Sequence, residues 1–282
     1  MSRRLVLPAL LLAVLAPVAL VACSSTSTPS ALCGGAHTVK IGSRTWTCTF
    51  DDEFGGTSLD TGKWSVQTTP ASGWTTADTC YLNDPGNIVE SGGALHLVAR
   101  RVAAPMSCGG RYSTVRTGGA VITRGHFSQA RGLFVFRARY PATRLAGFWG
   151  NLWLYPERLT YGRWPGSGEV DVAEHWSGHG DTVSPSLHYP DSSGADTRSC
   201  TVANVATFHT YAVEWGRSSM SFYYDGHLCF QRDWTTVSGS TKPFDKPFFV
   251  MLSEGFGDFD LPISPLLPQA GSVDVDYVRV YE

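Results

Sequence analysis

The sequence predicts an all-β domain, on three observations. Short runs of β-branched and aromatic residues bounded by Gly, Pro, Asp and Ser recur along it, and no long 3.6-residue hydrophobic period interrupts them. Tyr224-Asp225-Gly226-His227 also carries the Asp-Gly pair of a tight hairpin, which supplies the positive φ angles that turn needs. The clearest runs, residues 94–99, 132–139, 210–215 and 220–224, make a sandwich or barrel on pattern alone.

Residues 1–22 read as a lipoprotein signal peptide. Arg3 and Arg4 form a basic start, an apolar run too short for a comfortable membrane span follows, and small residues precede Cys23. Leu20-Val21-Ala22-Cys23 resembles the bacterial lipobox, in which the cysteine is lipidated and becomes the mature N-terminus. The expectation is an exported protein at the bacterial cell surface, anchored through Cys23 or secreted. Residues 23–36, rich in Ser, Thr, Pro and Gly, form a flexible tether, and residues 37–282 form one domain.

Removing Arg3 and Arg4 from the 22 basic groups takes the formal charge from −2 to −4 against 24 acidic ones. So mild a balance argues against nucleic acid or an anionic membrane as partner, which leaves the lipid as the only membrane link. The chain is taken as a monomer. Of seven cysteines, six remain once Cys23 is set aside, and an even number in an exported chain without C-x-x-C points to disulfides rather than metal. Counting alone allows fifteen pairings; pairing nearest neighbours gives Cys33–Cys48, Cys80–Cys108 and Cys200–Cys229.

The chemistry concentrates in residues 168–176, where Glu169, Asp171 and Glu174 lie on a segment that is otherwise β-branched or small. Side chains alternate along a strand, so Glu169 and Asp171 share a face while Glu174 falls on the other. A β-bulge at Val172-Ala173 would return Glu174 to the shared face. The two glutamates would then be roughly 13 Å apart at Cα. If each leaned inward, their carboxylates would end roughly 5 to 6 Å apart, close to the ~5 to 5.5 Å of retaining glycosidases. Asp171 between them would raise at least one pKa and keep one carboxyl protonated near neutral pH. The competing explanation, an exposed acidic edge that resists aggregation, does not account for the flanking tryptophans.

The Glu169 to Glu174 hexapeptide resembles the E-[IV]-D-[IV]-x-E signature of glycoside hydrolase family 16, in its bulge-containing, laminarinase-like branch. The likeness extends over most of the domain. Residues 50–64 resemble the opening D-E-F-x-G-x-x-L-D-x-x-x-W, residues 149–156 the W-P-A-x-W-L-x-P segment, and residues 164–168 its W-P-x-x-G lead into the catalytic strand. Residues 208–215, 224–226 and 276–281 match the closing strands, in the same order.

The resemblance implies a two-sheet antiparallel β-jelly roll with a concave cleft for a polysaccharide. It implies Glu169 as nucleophile, Asp171 as the assisting carboxyl and Glu174 as general acid/base of an endo-acting retaining hydrolase. A β-1,3-glucan is the first choice of substrate; mixed-linkage glucan or β-galactan hydrolysis, transglycosylation, and a non-catalytic lectin are the alternatives. Sugar faces stack on aromatic rings, so Trp149, Trp153 and Trp164, with Trp176 beside them, are expected at the substrate, whereas Trp46, Trp64 and Trp215 are assigned to the core. His188 matches a position next to the catalytic strand, where it would bond Asp171 or a sugar hydroxyl, and Asn87 is placed at the cleft rim. Residues 68–79 and 178–196 are expected as further rims. No cofactor is needed for catalysis; a structural Ca²⁺ on the convex side would use Glu53, Gly93 and Asp276.

Overall fold

The structure, a computed structural model, describes residues 32–35, 38–41, 44–190, 196–257 and 260–282. The stretch expected to be a signal peptide, Cys23 and most of the expected tether lie outside them. Twelve principal strands carry the architecture: β1 (Arg44–Asp52), β2 (Ala94–Ser107), β3 (Ser113–Ile122), β4 (Gly132–Arg139), β5 (Phe148–Pro156), β6 (Glu169–Trp176), β7 (Thr182–His188), β8 (His209–Trp215), β9 (Ser219–Tyr224), β10 (His227–Asp233), β11 (Phe248–Phe256) and β12 (Ala270–Tyr281).

They pack as the predicted antiparallel sandwich. One sheet runs β3–β11–β5–β6–β7 and forms the cleft. The other runs β10–β9–β8–β4–β12, and the far side of β12 is shared by β2 along its first half and β1 along its second. β3 also pairs with β2, which joins the two sheets.

Period-two alternation explains the interior. Phe134, Phe136 and Ala138 of β4 enter the core with Val213 and Trp215 of β8, and they meet Leu152, Leu154, Val170 and Leu187 from the cleft sheet. In β12 the step from Val275 to Val278 is odd, and a register shift between Val275 and Tyr277 absorbs it, so all four valines of the strand stay inside. Trp46, Trp64 and Trp215 are buried in the core as expected. Asp225 and Gly226 both have positive φ (50° and 77°) and close the β9–β10 hairpin.

The disulfides are Cys33–Cys48, Cys80–Cys108 and Cys200–Cys229, the nearest-neighbour set. The third spans 29 residues and ties the segment after β7 to strand β10. Replacing both of its cysteines by serine is expected to cost about 2 to 4 kcal/mol, roughly 5 to 15 °C in Tm. Calorimetry of the pair variant checks this; an unchanged Tm would show that the bridge adds nothing.

The core also holds Glu254 of β11, fully buried, with neither carboxylate oxygen hydrogen-bonded within the protein. Its side chain lies over Gly150, where an added Cβ would stand 2.4 Å from Glu254 Oε2 and 3.0 Å from the Tyr140 ring. Burial, with the charge of Asp274 behind it, holds the Glu254 carboxyl well above the usual range, as a neutral acid.

Candidate active site

β6 has one apolar face in the core, with Val170, Val172 and Ala173 fully buried. Asp171 is opposite Trp153 of β5 and Ser186 of β7, while Glu174 is opposite Asn151 and Ser184. Three steps on β6 therefore match two on each neighbour. This is the predicted bulge, and Val172 has no partner in either ladder. Glu169, Asp171 and Glu174 consequently share the cleft face.

Their surroundings differ. Asn151 Nδ2 donates to Asp171 Oδ1 at 2.7 Å, and His188 Nε2 donates to Asp171 Oδ2 at 3.0 Å. His188 Nε2 also stands 3.6 Å from Glu169 Oε1. Glu174 Oε1 accepts the Trp149 indole N–H at 2.7 Å.

Burial is the largest influence on each ionisation. It pushes Glu169 well above the usual carboxylate range, the charge of Asp171 adds to that, and the nearby His188 opposes it. Glu174 is raised to about 7, by burial and then by Asp171, against hydrogen bonds from Trp149 and Trp176. For His188 burial works downward, but the hydrogen bond to Asp171 and the three carboxylate charges outweigh it and lift the ring to about 9.

Glu169, Asp171 and His188 each present a polar atom within 4.8 Å of the others, a spacing that could hold a metal. An imidazole protonated at neutral pH donates instead of ligating, so the trio is read as a charged hydrogen-bond cluster. His175 and His179 do not form a metal pair: His175 Nδ1 bonds the Thr182 carbonyl, and His179 bonds Asp260.

Beside the carboxylates a cavity of about 420 Å³ is lined by Glu169, the apolar Ile122, Phe249 and Met251, the aromatic Trp74, Trp153, Tyr155 and Trp164, and the polar Gln67 and Arg124. Trp164 is 53% exposed, its ring 5.4 Å from that of His188. Trp153 is fixed by its indole N–H to Ser253 Oγ at 3.1 Å, and Trp176 lies 5.9 Å from Trp149. Trp153 and Trp164 thus line the cavity, and Trp149 and Trp176 stand at Glu174.

Two residues were missed. Trp74, 5.8 Å from Trp153, extends the aromatic row; a lone tryptophan in the polar 68–79 stretch was the available signal. Asn151 lies between Trp149 and Trp153 at period two, which put it on their face.

Three expectations need correction. Asn87 is not at a rim: it is fully buried, and its amide donates to the Val98 carbonyl and to Thr117 Oγ1. A side chain able to satisfy buried backbone belongs as readily in a core as in a cleft. The 178–196 stretch is not all rim, because residues 182–188 form β7 beside the catalytic strand. On the convex side, both oxygens of Glu53 accept from Arg279 at 2.7 Å, Arg137 holds Asp276 at 2.5 Å, and Gly93 sits in the turn before β2. The two arginines neutralise both carboxylates, so these residues as placed do not fit Ca²⁺, which would have to displace a guanidinium.

Comparison with known proteins follows the same lines. Residues 77–279 match the model of the family described as Glycosyl hydrolases family 16. Glucan endo-1,3-beta-glucosidase A1 of Niallia circulans is 30% identical over 260 residues, covering 83% of this chain but only 37% of that protein. Beta-glucanase of Rhodothermus marinus is 31% identical over 258 residues, covering 84% of this chain and 85% of that one. The X-ray structure of the laminarinase from Rhodothermus marinus superposes with a TM-score of 0.74 at 30% identity, over 84% of this chain and 97% of that chain.

Proposed function

The chain belongs to glycosyl hydrolases family 16, and from that premise we propose that it is an endo-acting, retaining glycosidase cleaving a β-1,3-glucan of the laminarin type. The observation that carries the reading is the bulge, which brings Glu174 to the same face of β6 as Glu169, beside an aromatic-lined cavity.

The residues divide the work as follows. His188, positive at neutral pH, stands at Glu169, while Glu174 faces an indole. Burial raises both glutamates; a retaining mechanism needs one proton between them, and His188 beside Glu169 assigns the negative charge to Glu169 and leaves the proton on Glu174. Glu169 attacks the anomeric carbon as Glu174 gives its proton to the leaving oxygen. Glu174, now ionised, takes a proton from water, which releases the glycosyl group with net retention. Asp171, held by Asn151 and His188, keeps Glu174's proton affinity high. Trp74, Trp153 and Trp164 supply flat apolar faces for glucosyl rings. The exported, Cys23-anchored reading of the N-terminus belongs to the same proposal: the substrate is a polymer met outside the cell.

Reducing-sugar release from laminarin, mixed-linkage glucan, β-galactan and agarose tests the reading. Laminarin is expected to be cut fastest, and binding without release on all four would favour the lectin alternative. A pH series adds a second expectation. The active form needs Glu174 protonated, so kcat/KM should fall as pH rises through about 7, approaching tenfold per unit. A rate flat from pH 6 to 9 would remove Glu174 from the acid role.

A further inference from the structure

The bulge has its own support behind the catalytic strand. Tyr140, just after β4, donates its phenol O–H to the Ala173 carbonyl at 2.7 Å, and Tyr224, the last residue of β9, donates to the Val172 carbonyl at 3.0 Å. Val172 and Ala173 are the two residues of the irregularity, and Val172 is in neither ladder. Both phenols come from the opposite sheet. Tyr140 is 2% exposed and Tyr224 5%, and both pack edge-on against Tyr211, at 5.8 Å and 4.9 Å. Neither reaches the cleft.

We infer that Tyr140 and Tyr224 are positioning residues which clamp the two bulge carbonyls and so fix the register that keeps Glu174 on the face of Glu169. An extra residue in a strand can slide along it or be expelled, and a one-residue slip turns every following side chain over. Here such a slip would carry Glu174 toward the core and away from the Trp149 indole, while Glu169, ahead of the bulge, would stay. Two fixed donors from a second sheet oppose that slip. Burial holds both phenols well above their usual pKa, so they remain donors across the working range.

The inference rests on reading the cleft as a retaining glycosidase site, and its test separates the two. In Tyr140→Phe, Tyr224→Phe and the double variant, kcat on laminarin is expected to fall roughly 10- to 100-fold with KM within about twofold. The burst of dinitrophenol from a 2,4-dinitrophenyl laminarin-type disaccharide should persist, because that leaving group needs no proton. Unchanged laminarin kcat, or a burst lost in proportion, would overturn the inference, since the second result means general loosening. A measurement without substrate keeps it falsifiable if the polymer is wrong. The Trp149 indole N–H resonance should titrate with Glu174 near pH 7 in the parent and lose that midpoint in the double variant. An unchanged titration overturns the inference whatever the enzyme cleaves.

Discussion

Glu169→Ala is expected to lower kcat on the glucan by at least about 10⁴-fold, and Glu174→Ala by about 10²- to 10⁴-fold. The losses differ in kind. Without Glu169 no glycosyl-enzyme forms; without Glu174 the enzyme can still form one when the leaving group is already acidic. Azide, a small anion able to fill either gap, tells them apart. With Glu174→Ala it should attack the glycosyl-enzyme and give a β-glycosyl azide, whereas with Glu169→Ala it should attack directly and give the α product. Product anomers read by NMR check the assignment, and the reverse pattern would exchange the two roles. The bulge makes this a sharp expectation, because it gives the two glutamates one face but different neighbours, His188 for one and Trp149 for the other.

The second large effect is on stability. Glu254 is neutral in the core, whereas in the unfolded chain it ionises above its ordinary value of 4.5. The unfolded state therefore binds fewer protons, and stability falls as pH rises, by about 1.4 kcal/mol per unit until the folded pKa is reached. His175 has the opposite sign. Burial pushes it down to about 4 from 6.5, so it adds stability as pH rises across that window and masks Glu254 there. Glu254→Gln should thus gain Tm over the parent increasingly as pH rises above 4.5. Thermal melts across that range check it; a pH-independent difference would mean that Glu254 is ionised in the fold.

The sequence made the catalytic strand legible because three carboxylates in an apolar run had only one arrangement that put them to shared use. The odd spacing of Glu174 demanded a bulge, and the structure has it. The disulfide pairing was equally readable, since short separations favour nearest neighbours. Asn87 was misplaced because a polar side chain gives the same signal in sequence whether it meets a sugar or a buried carbonyl. β11 is buried on both faces, so it shows no alternation, and nothing in its composition marked Glu254 as an interior group. Tyr140 and Tyr224 were silent for a related reason. They act from the other sheet, about 30 and 50 residues away from the carbonyls they hold, and only the closed sandwich brings them there.

Strand β12 pairs with β4 on one side and with β1 and β2 on the other, all of which precede β5 in the chain. During synthesis, the first half of the chain leaves the ribosome with a gap in the convex sheet that only residues 270–281 can fill. Until they emerge, β1, β2 and β4 present open edges, and the nascent polypeptide is a substrate for chaperones rather than a half-built domain.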